Sequence, residues 1–515
     1  MLEAAVLRRC APLLLSLGLL VAEVAWLLAV PAFRGIDEFD HVYRSASVAR
    51  GEWWPSGEAA QHGRGELVTV PRDLVAAAGD ECRARPYTGH DNCSPVQQAP
   101  HGQVRVASAA SRYEPGFYWV VGTAARWAHG TTALYVMRGV AALMCAVFVA
   151  LSAWSVRRWA RTAWPSVALR ASATPVLVYS SVVAAPNALE ICAALSVWSA
   201  LAGLARAGLP AATERTLVWA AVPGAVLLAN LRSLGVPFLL LDVLVLVTVL
   251  GRDRVGGLVT RHRRTLVATG GVVAAAVAAG AFWVLAAAPN RGAEEHGDYH
   301  GAVLGSLVQL PVWVLQTIAA APGRADPAPV ATYLLCGALL VAVWRAGSRA
   351  GEPRLRRALA FVAVSSLAGP LVLTLHGYRD VGVIWQGRYG MPFSVGLLVL
   401  AGLALDLRGA AAPRRPVGVV LGGAFVAGHL VAVLAVLAQQ ARVSPSVAAG
   451  LWAPPPWSLV AVLTLVGWGV VALALRGLAT VDVRRSGTLG AVAVDELTRE
   501  LLEEQPHVSH DPARL

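Results

Sequence analysis

Long apolar runs separated by short polar connections dominate the chain. Each run extends over about 17–25 residues, which is the length that an α-helix needs to cross a bilayer. We therefore predict an all-α polytopic membrane protein with about twelve spans. The predicted spans are 11–30, 131–156, 166–185, 188–205, 217–231, 234–250, 266–288, 330–346, 358–375, 391–406, 416–438 and 457–475.

Two further apolar stretches, 116–128 and 302–320, are predicted to be helices that lie at the membrane interface. The longest polar segment, residues 31–130, follows the first span, and we call it the first outer loop. A transmembrane domain is thus predicted for residues 1–477. Residues 478–515 are polar and acidic, which indicates a solvated cytoplasmic tail.

The charge pattern predicts how these spans are oriented. The formal net charge of +12 comes entirely from arginine, because the chain contains no lysine. Arg8 and Arg9 precede the first span, and Arg157 and Arg158 follow the second. The positive-inside rule then places both termini in the cytoplasm and the first outer loop outside the plasma membrane. Because the arginines lie between apolar runs, membrane topology explains them better than nucleic-acid binding does.

A dense group of charged residues opens the first outer loop. At about 100° per residue, Phe39 and Trp53 fall on one face of a helix, and Asp37 and His41 fall on the opposite face. This predicts an interfacial helix whose apolar face meets lipid or protein and whose acidic face meets a polar ligand. The alternatives are that Asp37 is only the N-cap of the helix and that His41 is an ordinary interfacial histidine.

Polar residues also recur at the outer ends of the predicted spans. Arg388, with Gln386 and Tyr389, precedes a late span, and Arg232 lies at an earlier outer turn. A guanidinium donates two parallel hydrogen bonds, which suits a phosphate or carboxylate. We therefore expect Arg388 to bind phosphate. For both arginines the alternative is a boundary arginine that extends toward lipid headgroups, and for Arg232 this is the favoured interpretation.

Cys82 and Cys93 share the first outer loop and are predicted to form a disulfide if that loop faces an oxidising compartment. The nearby histidines do not give a standard zinc spacing. A second acidic and histidine cluster is expected to be either a hydrated loop or a metal site. It comprises Glu294, Glu295, His296, Asp298 and His300.

Several of these motifs resemble one known bacterial family. The stretch Ile36-Asp37-Glu38-Phe39-Asp40-His41 is similar to the Asp-Glu-x-x-His signature of the membrane-protein family called domain of unknown function 2142. The further matches, in the family's order, are Pro175 to Tyr179, Pro186 to Glu190, and Gln386-Gly387-Arg388-Tyr389 with Pro392. Together they cover roughly residues 10–440. The sequence departs from the family pattern at Glu114-Pro115, where two prolines usually precede an aromatic pair.

The resemblance implies an architecture similar to that of the GT-C glycosyltransferases. Such enzymes take a sugar from a polyprenyl-phosphate carrier on the outer side of the membrane. The resemblance implies that Asp37 is the base or the ligand of a divalent metal such as Mg or Mn, with Glu38 and His41 beside it. It further implies that Arg388 holds the lipid phosphate.

The remaining residues expected around the lipid phosphate are Gln386, Tyr389, Arg232, Glu114 and Asn187. The expected function is transfer of a sugar to a glycan, lipid or protein of the cell envelope, with membrane lipids as the other partners and no nucleic acid. Two alternatives stay open from the residues alone. One is a transporter or flippase of envelope lipid or glycan, although the charges lie at the outer boundary more than inside the spans. The other is a non-catalytic membrane scaffold.

Overall fold

In the computed structural model the chain is described over residues 2–287, 299–323, 326–381, 385–410 and 415–479. The predicted acidic tail lies outside this part from residue 480 onward. The second acidic and histidine cluster also falls on residues whose side chains lie outside it.

Helices make up most of the described chain. In chain order the helices and strands are α1 (Leu2–Ala29), α2 (Glu38–Val48), β1 (Glu66–Pro71), α3 (Arg72–Arg83), α4 (His90–Cys93), β2 (Gln97–Ala99), β3 (Gln103–Ser108), α5 (Pro115–Ala124), α6 (Gly130–Trp159), α7 (Trp164–Ser172), α8 (Pro175–Ser181), α9 (Asn187–Ala202), α10 (Ala211–Ala229), α11 (Gly235–Ala286), α12 (Tyr299–Gln316), α13 (Val330–Ala350), α14 (Pro353–Val381), α15 (Met391–Leu407), α16 (Arg415–Val443), α17 (Pro445–Ala448) and α18 (Trp457–Ala479).

Within the described ranges, 9 helical segments are long and apolar enough to cross a membrane by length and composition. One of them, α11, consists of two helices joined across non-helical residues at Gly251 and His262, and it covers two predicted spans. Helix α10 and the broken pair α7 and α8 occupy the positions of two more. The polytopic helical prediction is confirmed, because helix is present at every predicted span.

The break between α7 and α8 places polar groups beneath the first outer loop. Pro175 begins α8, and Thr174 before it is extended, with φ −65° and ψ 160°, because proline excludes helical geometry from the preceding residue. The hydroxyl of Tyr179 accepts a hydrogen bond of 3.3 Å from the backbone N–H of Ile36. The backbone N–H of Ala184 donates to Glu38 at 3.2 Å. The broken helix therefore supports the start of α2.

The first outer loop contains a small antiparallel sheet with the strand order β1-β3-β2. Strands β1 and β3 pair from Glu66 opposite Ser108 to Pro71 opposite Gln103. The sequence pattern predicts no strands here, because strands of 3 to 6 residues are too short to show a clear alternation. A disulfide joins Cys82 of α3 to Cys93, with the two Cα atoms 5.4 Å apart.

Helix α2 is enclosed by protein. All 11 of its residues are buried, and it packs against α5, β1 and β3. The prediction of an interfacial helix that runs to Trp53 is wrong in two respects. The helix ends at Val48, and its polar face meets protein side chains as much as its apolar face does. Trp53 lies beyond the end of the helix and is 42% exposed.

Helices α5 and α12 match the two predicted interfacial segments in length. Helix α5 has 10 residues, and the apolar part of α12 extends over Gly301–Gln316, so both are shorter than the segments that qualify as spans. Trp119 on α5 is 47% exposed, and Trp127, just beyond it, is 84% exposed. Such rings suit the boundary between membrane and water.

Two contacts secure this architecture, one within the bundle and one between the first outer loop and the bundle. Helices α1 and α18 approach closely, since a Cβ on Gly18 would lie 2.7 Å from the carbonyl oxygen of Gly467. In α3 the buried carboxylate of Glu81 accepts hydrogen bonds from the hydroxyls of Ser444 at 2.5 Å and Ser446 at 2.7 Å. The loop is thereby fixed to the connection between α16 and α17.

Candidate functional site

Asp37 occupies the N-cap position of α2, but its side chain does not cap the helix. Its backbone is left-handed, with φ 52° and ψ 20°, a conformation that Asp tolerates better than most residues. The carboxylate lies 4.0 Å from the guanidinium of Arg64 and is 22% exposed. The alternative that Asp37 serves only as a side-chain cap is therefore wrong, because the capping hydrogen bond is not formed.

Asp40 lies one turn further along α2 and anchors the end of the sheet. Its Oδ1 accepts a 2.7 Å hydrogen bond from the backbone N–H of Ala109, and Ser108 donates to its carbonyl oxygen at 2.7 Å. Arg64 lies 3.5 Å from the other carboxylate oxygen. Burial raises the pKa of Asp40 to about 7, with a further contribution from Asp37. Asp40 therefore belongs to the framework that positions Asp37.

His41 stacks against two tyrosine rings that also contact each other. The ring centroids of Tyr113 and Tyr118 lie 5.6 Å and 5.9 Å from that of His41, and Nδ1 is 2.8 Å from the Tyr118 hydroxyl. Burial lowers the pKa of His41 to about 3, and the charges of Arg232 and Arg388 lower it further, whereas Asp37 raises it. At neutral pH the imidazole is therefore neutral, and it lies close enough to Asp37 and to both arginines for all three to act on it.

Glu38 is the partner of a buried arginine. Arg138 of α6 donates from Nε and Nη2 to the two carboxylate oxygens at 2.8 Å and 2.6 Å, and both side chains have an exposure of 0%. Arg138 also donates to the carbonyl oxygens of Val30 and Pro31. This bidentate pair joins the end of α1 to α2 and α6. Glu38 is inaccessible to a substrate, which corrects its placement among the catalytic residues.

Arg388 is buried, with no carboxylate partner in the part of the chain that the structure describes. It lies in the 3₁₀ turn Gly387–Gly390 and is 6% exposed. Its Nε has no hydrogen-bond partner, and no carboxylate forms an ion pair with it, among the residues that the structure describes. It lines a small cavity with Gln386, Gln316 and Ile36. A desolvated guanidinium without a counter-ion is costly, so this position favours binding of an anion.

Tyr389 connects Arg388 to Arg232. The guanidinium carbons of Arg232 and Arg388 lie 4.4 Å and 5.5 Å from the centroid of the Tyr389 ring. Gln386 donates a 2.9 Å hydrogen bond to the Tyr389 hydroxyl, which fixes the ring. Two cations from distant parts of the chain are thus held against one aromatic side chain.

Arg232 has its own carboxylate partner. Its Nη1 lies 3.3 Å from Glu190 of α9, and it hydrogen-bonds to Tyr113. Burial opposes the charge, but Glu190, Tyr113 and Tyr389 outweigh that effect and raise the pKa of Arg232 above its ordinary value. The side chain is 13% exposed. The alternative of an arginine that extends to lipid headgroups is therefore wrong for Arg232.

Glu114 and Asn187 lie beside this arrangement. Glu114, at the N-terminus of α5, is 7% exposed, and its Oε2 has no hydrogen-bond partner within the described ranges. Burial raises the pKa of Glu114 to about 8, with a contribution from the charge of Glu190. Asn187 is buried at the first residue of α9, one turn before Glu190. Both residues are therefore close to Glu190, the carboxylate partner of Arg232.

These contacts define what we call the loop-side cluster. Its members share electrostatic or ring contacts with one another and lie where the first outer loop meets the bundle: Asp37, His41, Tyr113, Glu114, Glu190, Arg232, Arg388 and Tyr389. Tyr113 illustrates the connection, because Arg232, Tyr389 and Asp37 all influence its pKa, which burial raises. The acidic motif near the start of the chain and the Arg388 motif near its end thus meet in one place.

An apolar cavity of about 490 Å³ adjoins the turn that carries Arg388. Its wall includes Trp385, Gly387 and Met391, together with side chains of α12, α13 and α14. Because Gly387 and Met391 lie within three residues of Arg388, the apolar cavity adjoins the turn that carries Arg388, whose side chain lines the smaller cavity. A ligand with a hydrocarbon part and an anionic head matches this combination.

A metal ion would need more ligands than the cluster offers. The part of the chain that the structure describes contains no group of three or more His, Cys, Asp or Glu side chains that could hold a metal. Asp37 and Asp40 share Arg64, a cation, as their neighbour. This donor set does not fit a site supplied by the protein alone, and a metal at Asp37 stays a prediction.

Sequence reasoning missed the partners of the motif residues. Arg64, Arg138 and Tyr118 contact the acidic motif, yet each lies in a segment with no motif of its own. Tyr113 precedes the Glu114-Pro115 position and Glu190 ends one of the matched motifs, but only the fold reveals their common contact with Arg232. A buried arginine in a predicted span, such as Arg138, was the available signal, because such a charge requires a partner.

Solved structures show a partial similarity to this chain. Crystal structures of ArnT from Cupriavidus metallidurans, in the apo state and bound to undecaprenyl phosphate, align with TM-scores of 0.43 and 0.44 at 17% identity. The alignments cover 91% of this chain and 76% and 77% of the ArnT chains. No curated protein matches the sequence.

A family model also matches most of the chain. Residues 20–397 match the family described as "Predicted membrane protein (DUF2142)", and this range holds the acidic motif, the first outer loop and Arg388. The chain belongs to this family of membrane proteins.

Proposed function

We propose that the protein is a membrane glycosyltransferase, which transfers a sugar from a polyprenyl-phosphate carrier to an acceptor of the cell envelope. The observation that carries this proposal is Arg388, a buried guanidinium without a carboxylate partner among the described residues, beside an apolar cavity of about 490 Å³. A carrier of this class has one anionic phosphate attached to a long hydrocarbon chain. The guanidinium suits the phosphate, and the cavity suits the first part of the hydrocarbon.

Arg232 assists Arg388 in this proposal. It is already neutralised by Glu190, so it adds a hydrogen-bond donor near the phosphate with little added net charge. Tyr389 separates the two guanidiniums and keeps both oriented. One uncompensated cation matches the single charge of a phosphodiester in which the phosphate joins lipid and sugar.

Asp37 is the proposed base. It is the carboxylate of the acidic motif that is partly exposed and free of a helix-capping role, whereas Glu38 is neutralised by Arg138 and Asp40 is buried against the sheet. In the proposed reaction Asp37 takes the proton of an acceptor hydroxyl, whose oxygen forms a bond to the anomeric carbon of the sugar. The bond from that carbon to the phosphate oxygen breaks, and its electron pair leaves with the lipid phosphate, which Arg388 stabilises. No step depends on a metal ion.

The proposal places the loop-side cluster on the outer face of the plasma membrane, as the charge pattern predicts. His41, neutral at neutral pH and held against two tyrosine rings, would position Asp37 and not exchange protons itself. Gln386 would act through Tyr389, because it donates to that hydroxyl.

Binding of undecaprenyl phosphate to the purified protein tests the phosphate site. We expect Arg388→Ala and Arg388→Lys both to weaken binding by about tenfold or more, since lysine lacks the planar fork. Arg408→Ala is the matched control, because Arg408 is exposed at the end of α15. Equal affinity of wild type and both Arg388 variants would overturn the proposed phosphate site.

A further inference from the structure

The loop-side cluster contains two buried carboxyl groups that influence each other, and each has an oxygen without a hydrogen-bond partner among the described residues. Glu114 is 7% exposed and Glu190 is 1% exposed. Arg232 occupies Oε2 of Glu190 at 3.3 Å. Oε1 of Glu190 and Oε2 of Glu114 have no hydrogen-bond partner within the residues described by the structure. Buried polar atoms are rarely left unsatisfied, so this pair indicates a ligand that is not part of the chain.

The chemistry of the pair restricts the ligand. Of the two carboxyl groups, Glu190 forms the ion pair with the guanidinium of Arg232. Burial and the charge of Glu190 keep the proton on Glu114 at neutral pH, since the pKa of Glu114 is raised to about 8. Glu114 can then donate one hydrogen bond and accept others, whereas the free oxygen of Glu190 only accepts. A group that both donates and accepts hydrogen bonds satisfies both residues, and a hydroxyl group is such a group.

The position of the pair relative to the phosphate site suggests where such hydroxyls come from. Arg232 contacts Glu190 on one side and Tyr389 on the other, and Tyr389 also contacts Arg388. A sugar is joined directly to the phosphate in a glycosylated carrier. When the phosphate lies at Arg388, the ring of the sugar therefore lies on the side of the cluster where Glu114 and Glu190 are found.

We propose that Glu114 and Glu190 form a subsite that binds hydroxyl groups of the sugar carried by the lipid phosphate. The inference rests on the proposed function, because it takes the phosphate at Arg388 as the point of attachment. Glu190 also holds Arg232, so Glu114 is the residue whose removal reports on the sugar alone. Glu114 is thus a residue that determines affinity for the sugar and not for the lipid.

Two probes separate the sugar from the lipid: undecaprenyl phosphate alone, and undecaprenyl phosphate carrying a neutral hexosyl group. We expect Glu114→Ala to weaken binding of the hexosyl lipid by about tenfold or more and to leave binding of undecaprenyl phosphate within about twofold. Glu114→Gln retains one donor and one acceptor, so it should stay within about threefold of wild type for both probes. Glu58→Gln, at an exposed loop position, is the control.

The outcomes distinguish this inference from the proposed function. If wild type binds neither probe, the proposed function fails. If wild type binds both probes and Glu114→Ala binds the hexosyl lipid as tightly as wild type does, the subsite is wrong while the phosphate site stands. An equal loss in Glu114→Gln and Glu114→Ala would also contradict the subsite, because it would show that Glu114 acts as an anion. Thermal unfolding of each variant confirms that it is folded.

Discussion

The guanidinium of Arg232 lies 4.4 Å from the centroid of the Tyr389 ring. This contact joins the turn between α10 and α11 to the turn before α15, and it places the cation paired with Glu190 next to Arg388, which has no carboxylate partner among the described residues. A cation–π contact contributes about 0.5–2 kcal/mol and leaves the donors of a guanidinium available. The ring therefore orients the cations without neutralising them, as a phosphate site requires.

Substitution of Tyr389 tests this arrangement. Tyr389→Ala removes the ring from both guanidiniums, and we expect affinity for undecaprenyl phosphate to fall by about tenfold. Tyr389→Phe keeps the ring and loses only the hydrogen bond from Gln386, so its affinity should stay within about threefold of wild type. Direct binding measurements check both values. Equal losses in the two variants would show that the hydroxyl matters and the ring does not.

The buried pair of Glu38 and Arg138 predicts a large effect on stability. Glu38→Gln leaves Arg138 charged and buried without its counter-ion, which costs about 3–5 kcal/mol. Thermal unfolding in detergent should show a markedly lower midpoint. The matched control is Glu58→Gln, which breaks an exposed pair with Arg105 and should cost about 0–1 kcal/mol. Similar midpoints for the two variants would contradict the structural role of Glu38.

Glu114 predicts a pH dependence of stability. Its pKa is raised from an ordinary value of 4.5 to about 8 by burial and by Glu190, while Arg232 is engaged with Glu190. Between these values the folded protein holds a proton that the unfolded chain releases, so this group makes stability fall as pH rises through that range.

The glutamine in Glu114→Gln cannot ionise, so this variant should lose the pH dependence of stability that Glu114 causes. We expect the midpoint of thermal unfolding of Glu114→Gln to rise relative to wild type as the pH is raised from 5 to about 8. Glu58→Gln should follow wild type, because Glu58 is 57% exposed. Parallel curves for wild type and Glu114→Gln would show that Glu114 is ionised in the folded protein.

The disulfide between Cys82 and Cys93 should stabilise the first outer loop. It closes a short loop, and a crosslink of this separation removes about 3 kcal/mol of chain entropy from the unfolded state. Replacement of both cysteines by serine should lower the unfolding midpoint. The same replacement at Cys336, a free cysteine outside this loop, is a control for the loss of a buried thiol. An unchanged midpoint in the double variant would contradict this role.

The local parts of the fold were predictable from the sequence. Helical periodicity placed Asp37 and His41 on one face of a helix, and apolar run lengths identified the spans. Both signals depend on neighbouring residues only. The motif around Arg388 indicated an anion site for the same reason, because its residues are adjacent in sequence.

The contacts between distant segments could not be predicted in this way. Glu38 meets Arg138 of α6, and Glu190 meets Arg232, because the packing of helices brings them together. The two acidic groups that looked equivalent in the motif, Asp37 and Glu38, therefore have different environments. The strands of the first outer loop were also missed, since their pairing is between separate short segments.

Replacement of Asp37 by Asn tests the central claim most directly. Asn tolerates the left-handed backbone of Asp37, and the carboxylate makes no capping hydrogen bond, so the variant should fold normally. Cells that carry Asp37→Asn at the wild-type protein level should lose the envelope glycan expected from the proposed transfer, with a transfer rate lower by about 100-fold or more. Cells that carry Asp80→Asn, at an exposed position of α3, should keep it. An unchanged glycan profile with Asp37→Asn would contradict catalysis by this carboxylate.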